Sequence, residues 1–160
     1  MTFDPKFIFY RDDRALDLDP PEEFWSEIGP ELRRLYESRL ESFPDRVAKG
    51  RMARAEADRE LRLARGLAEG WRALPRSPDA PLTTLVEDVH ALRREITFRR
   101  QRWPRLVELR RITGEELDRR ILLLELCHDI IWHGSQHPDI RAAREARQRH
   151  LQQQALKQAA

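Results

Sequence analysis

Residues 32–71 and 92–131 align at a constant spacing of 60 without a gap, and 11 of the 40 aligned pairs are identical. The identities include Leu32 with Leu92, Arg39 with Arg99, Pro44 with Pro104, Val47 with Val107, Glu56 with Glu116, Asp58 with Asp118 and Leu63 with Leu123. An aromatic precedes the proline in both copies, as Phe43 and Trp103. A proline, an aromatic and an acidic-Asp-Arg run held in one register constrain the chain more than charged helices alone would. Two copies are too few for a solenoid. They predict an all-α fold: two pseudo-symmetric helical hairpins in a small bundle, with a short N-terminal extended arm and a C-terminal basic helix.

Local signals give the second copy its helices. Thr84 followed by Glu87 is a capping-box pattern. Leu85, Val89, Leu92, Ile96, Trp103 and Val107 then fall on one helical stripe. Pro104 kinks this helix or begins a new one, because proline lacks the amide and clashes one turn back. Thr113 with Glu116 opens a second helix, and from Leu117 to Ile131 it is apolar nearly all round, the mark of a buried helix. The first copy is thinner, with Ala57, Leu61, Ala64, Ala68 and Trp71 on its stripe.

These signals set the boundaries. Residues 1–30 form an acidic arm and a short helix, starting at Asp19-Pro20-Pro21-Glu22 and interrupted at Gly29-Pro30. Residues 31–73 are the first hairpin, and 74–83 a proline-rich linker. Residues 84–133 are the second hairpin, and 138–160 a helical tail that frays or docks on a partner. FIFYRDD, near the start, reads as a strand or an extended arm.

Composition narrows the class. Leu, Ile, Val and Phe make 39 of 160 residues, enough for a core in a chain with 36% charged residues. No apolar run approaches the length of a membrane span, and the acidic, proline-broken start is not a signal peptide. One cysteine, Cys127, allows no intrachain disulfide and suits the cytoplasm. Of 30 basic residues, 27 are Arg. A GC-rich genome produces that bias, and so does recognition of phosphate or carboxylate by the guanidinium fork.

Two sets of residues stand out. Arg39 and Arg99 lie within apolar stripes, where a charge needs a partner or a route to water. The expected partners are Asp58 or Glu56 for Arg39, and Asp118 or Glu116 for Arg99. On the opposite face of the 84–111 helix, if it continues past Pro104, Arg94, Phe98, Arg102 and Arg105 cluster beside Leu109. The matching positions of the first copy are Arg34, Ser38, Ser42 and Asp45, so this basic, aromatic face belongs to the second copy. It suits phosphates and a stacked base, or an acidic protein surface with Phe98 as anchor. A solvated face with Phe98 packed under the linker is the plainer alternative.

No catalytic motif accompanies it. Cys127, His128, His133 and His137 lack the spacing for zinc, and no glycine-rich phosphate loop or nucleophile elbow is present. The expectation is a non-enzymatic protein with no cofactor and no metal.

The run LRREITFRRQRWPRLVELRRITGEELDRRI resembles a family of small phage and prophage proteins. The matching residues are Trp103, Pro104, Val107, Arg111, Thr113, Glu116 and Asp118. That family has a glycine before the turn's basic residue, kept here as Gly50-Arg51 but replaced by Arg110-Arg111, and has one copy rather than two. The resemblance implies a mobile-element origin and a cytoplasmic accessory role, and transfers no catalytic residue. The expected function is binding of nucleic acid or a nucleoprotein complex through Arg94, Phe98, Arg102 and Arg105. The alternative is an inhibitor or adaptor of a protein partner, for example a host defence complex. The C-terminal helix also offers a homodimer contact.

Overall fold

A computed structural model of the chain describes residues 3–6, 9 and 22–160. Six helices follow in order: α1 (Glu22–Ala48), α2 (Arg54–Gly70), α3 (Leu85–Arg102), α4 (Pro104–Glu108), α5 (Gly114–Trp132) and α6 (Pro138–Ala159). The fold is all-α, and the described residues contain no strand. α1 packs on α2 and α5, α3 packs on α2 and α5, and α6 lies against α3 and α5. No described helix is long and apolar enough to cross a membrane.

The two interhelical turns share one construction. Their flanking helices end at Ala48 and Glu108 and restart at Arg54 and Gly114, each pair 60 apart. Gly50 N donates to Val47 O at 3.0 Å, and Arg110 N donates to Val107 O at 3.0 Å. Arg51 N donates to Arg46 O at 2.9 Å, and Arg111 N to Leu106 O at 2.9 Å. Both turns pass through the left-handed region, at Gly50 (φ 70°) and at Arg110 (φ 55°). That conformation closes the orphan carbonyls of a helix end. It is free for glycine and strained for arginine.

The prolines behave differently from the expectation in one place and resolve it in another. Gly29-Pro30 does not interrupt α1, which runs unbroken through Pro30 and Pro44. A proline inside a helix forfeits one bond, but Ile28, Leu32, Leu35 and Phe43 bury one stripe of this helix and hold it in line. Pro104 instead starts α4, directly after Trp103 caps α3. The capping box of Thr84 and Glu87 is formed, and Thr113 Oγ1 accepts from Glu116 N at 3.1 Å.

The main core gathers Ile28, Leu32, Leu63, Leu67, Val89, Leu92, Ile96, Leu124 and Cys127 from four helices. Phe43, Met52 and Ala57 form a satellite cluster at the first turn. The described part of the arm docks on the main core. Phe3 stacks on His90 and Trp132 (centroids 5.2 and 5.1 Å), and Phe9 tilts on His128 (4.7 Å). Most of FIFYRDD and the Asp19-Pro20-Pro21 helix start lie outside the described residues. α6 docks through Ile140, Ala143 and Arg147, and is exposed from Gln152 onward. Arg144 caps α5, donating to Trp132 O and His133 O at 3.0 Å each and to Ser135 O at 2.9 Å. A cation there satisfies carbonyls that the helix leaves open.

Candidate functional site

Between α1, α2, α3 and α5 lies a string of alternating charges. Arg99 sits inside the bundle, 1% exposed. Its Nε donates to Glu95 Oε1 at 2.9 Å, and its Nη1 donates to Glu31 Oε1 at 2.7 Å and to the Arg120 carbonyl at 3.1 Å. Arg120 Nε donates to Glu31 Oε1 at 3.0 Å. The other oxygen of Glu95 accepts from Arg39 Nη2 at 3.0 Å. Arg39 also reaches Glu60 Oε2 at 3.5 Å. Trp103 floors the assembly, with the guanidinium carbons of Arg99 and Arg120 at 4.2 and 4.6 Å from its ring. Buried charges persist only when paired and hydrogen-bonded, and three arginines here match three glutamates.

Three further arginines lean on the same glutamates from outside, Arg59 at 3.9 Å from Glu60 Oε1 among them. Arg94 Nη2 lies 3.3 Å from Glu60 Oε1, and Arg34 Nη1 lies 3.7 Å from Glu31 Oε2. The glutamates are already balanced, so Arg34 and Arg94 bring excess positive charge to the rim. Above the string is a groove of about 370 Å³ between α1, α2 and α3, lined among others by Arg34, Arg46, Arg94, Phe43, Phe98 and Trp103. Phe98 is 51% exposed beside it. Arg46 stacks over Phe43, its guanidinium carbon 5.6 Å from the ring centre.

The structure splits the expected binding face. Arg94 and Phe98 line the groove. Arg102 and Arg105 do not; both are exposed, and Arg105 pairs with Glu108 at 3.0 Å in α4. The break after Arg102 separates them, because Pro104 begins a new helix. Arg34 and Arg46 join instead, so the basic groove draws on α1 as well as α3 and is not confined to residues 84–133. Sequence reasoning missed them because it considered one helix face at a time. The Arg34–Arg94 identity in the alignment was the available signal.

The ion-pair partners also need correction. Arg39 and Arg99 are paired as expected of stripe arginines, but not with Asp58, Glu56, Asp118 or Glu116. Asp58 is exposed, 4.0 Å from Arg54. Asp118 is exposed too, whereas Glu116 reaches Arg120 at 3.9 Å. The acids used are Glu31, Glu60 and Glu95, which point inward. Residues 58 and 118 sit two positions from 60 and 120, about 200° around their helices.

His128 is held by its neighbours. Arg93 Nε donates to its Nε2 at 3.0 Å, so Nδ1 carries the hydrogen and donates to Asp129 Oδ1 at 2.9 Å. Burial first, and then the charge of Arg93, keeps its pKa below the usual histidine value, against the opposing pull of Asp129. Cys127 is fully buried, and burial pushes its thiol well above the ordinary range. Among the described residues no group of three or more His, Cys, Asp or Glu could hold a metal ion. No family model, curated protein or solved structure matches this chain.

Proposed function

We propose that the chain is a non-catalytic, single-stranded nucleic-acid-binding protein that uses the groove between α1, α2 and α3. The observation that carries this reading is the pairing of surplus arginine with exposed aromatic surface around one cavity. Arg34, Arg46 and Arg94 line the groove together with one acid from outside the charge string, Glu56, and Phe98 offers an exposed ring face. A phosphate takes the arginines, and an unstacked base takes the Phe98 ring, at about 1–3 kcal/mol per base. The volume of about 370 Å³ suits one nucleotide rather than a duplex. Unpaired bases can be splayed into such a groove; paired ones cannot. The equal turns, 60 residues apart, support a duplicated hairpin as the origin of the fold. An accessory role of the phage type rests on the residues around Trp103–Asp118 alone.

The test is fluorescence anisotropy of labelled single-stranded and duplex oligonucleotides at several salt concentrations. With three arginine–phosphate contacts, the log–log salt slope for a single strand is expected near about −2. The double variant Arg34→Glu, Arg94→Glu abolishes binding, whereas Arg102→Glu with Arg105→Glu weakens it only a few-fold. No binding at low salt, or equal loss in both double variants, overturns the reading and favours a protein partner for Phe98.

A further inference from the structure

A second cavity, of about 940 Å³, shares no lining residue with the groove. Three segments distant in sequence enclose it: the end of α2, the 71–84 linker with the start of α3, and the start of α6. Its walls are prebuilt. Arg62 Nη1 donates to Leu82 O at 2.8 Å, and Glu69 accepts from Ser77 N at 3.1 Å and Ser77 Oγ at 3.2 Å. Gly66 lets the linker close onto α2, since a Cβ there would clash with the Thr83 side chain. A cavity of this size with fixed walls lies within the range of small-molecule sites.

At its inner wall lies Asp88, 9% exposed. Its Oδ1 accepts from Thr83 Oγ1 at 2.6 Å. No other hydrogen bond and no salt bridge to Asp88 is present among the described residues, because the nearby Arg62 forks onto Glu87 instead (2.7 Å). Of the two other acids of the wall, Glu69 is satisfied by Arg65 at 2.9 Å and by Ser77, and Asp139 is exposed to water at the start of α6. A buried carboxylate without a counter-ion is costly, and here the free oxygen belongs to a residue that lines the cavity. Leu74, Pro75, Pro81 and Leu85 supply apolar wall around it.

We infer that this cavity is a binding site for a small organic amine with an apolar body, its ammonium group seated on Asp88. The cation supplies the counter-ion that the fold withholds, and its body displaces water from the proline and leucine walls. Burial pushes the Asp88 carboxyl up to about 6, against the Thr83 hydrogen bond, which lowers it. Amine binding therefore requires loss of a proton from Asp88, and weakens as pH falls below that value. Arg72 and Arg76 stand exposed on the rim. The competing explanation is that Asp88 only tethers the linker through Thr83.

Isothermal titration calorimetry of the full chain with phenethylamine, and with the neutral 2-phenylethanol as control, separates the two. At about pH 7 the amine is expected to bind at least about tenfold more tightly than the alcohol, and about tenfold more tightly than at pH 5. Asp88→Asn removes the preference for the amine. Arg76→Glu leaves the interior untouched and tightens amine binding several-fold through the changed rim charge. Silence with millimolar amine, equal affinity for alcohol and amine, or no response to Arg76→Glu overturns the proposal and leaves Asp88 as a tether.

Discussion

Arg39 and Arg99 align with each other at the spacing of 60, yet they live in different surroundings. Arg99 is 1% exposed and spends its guanidinium on Glu95, Glu31 and the Arg120 carbonyl. Arg39 is 17% exposed and shares Glu95 from the other side, with Glu60 as second partner. Arg99 thus sits at the sealed centre of the charge string and Arg39 at its open end. The difference teaches why the groove sits where it does. The surplus arginines sit against the two ends of the string, Arg34 on Glu31 and Arg94 on Glu60, and both line the groove that runs above it.

Breaking the sealed end has the largest effect. Arg99→Met removes the one cation that bonds both buried glutamates; Glu31 keeps Arg120 and Glu95 keeps Arg39, so chemical denaturation is expected to show a loss of about 3 kcal/mol, the lower end for a broken buried pair. An unchanged midpoint would remove the string from the account. Position 28 in α1 holds Ile28, whereas the position 60 further on, in α3, holds Asp88; both are buried. The Asp88 carboxyl rises from 3.8 to about 6 on folding, a difference on the order of 3 kcal/mol. Its folded pKa lies above the unfolded one, so this contribution is full below about pH 4 and is lost as pH rises through about 6. Thermal melts across that window should therefore slope downward for the wild type, and less steeply for Asp88→Asn.

The open end yields less. Arg39→Met is expected to cost on the order of 2 kcal/mol, because Glu95 keeps Arg99 and Glu60 keeps Arg94. A cost equal to that of Arg99→Met would contradict the sealed-versus-open distinction. The turns give the smallest effects. Gly50 has room for a Cβ, with nothing within 4 Å, so Gly50→Ala costs only its left-handed backbone, about 1 kcal/mol. Arg110→Gly should gain up to about 1 kcal/mol by relieving the same conformation. Equilibrium unfolding of both variants checks the pair, and changes of equal sign would deny that the turns are alike.

The sequence carried the helices well and their assembly poorly. Thr84 with Glu87 and Thr113 with Glu116 announce helix starts through local bonds, and both Thr caps form. Gly29-Pro30 misled, because a local break signal competes with the buried stripe of Ile28, Leu32 and Leu35 and loses. The arginines of the charge string were visible as charges on apolar stripes. Their acids were not, since which glutamate faces Arg99 depends on how α1 and α3 each pack on α5, and Glu31 lies 68 residues away. For the same reason Arg34 and Arg46 escaped notice as groove residues: each is an ordinary exposed arginine until α2 holds α1 and α3 on the two sides of one groove.

The most direct test of the groove is backbone amide chemical-shift mapping of the isotope-labelled chain with a short single-stranded oligonucleotide. The account predicts perturbations gathered at residues 34–46 in α1 and 94–103 in α3, with the α6 amides unmoved. Perturbations centred on Arg102–Glu108 without α1, or on the C-terminal helix, would contradict it.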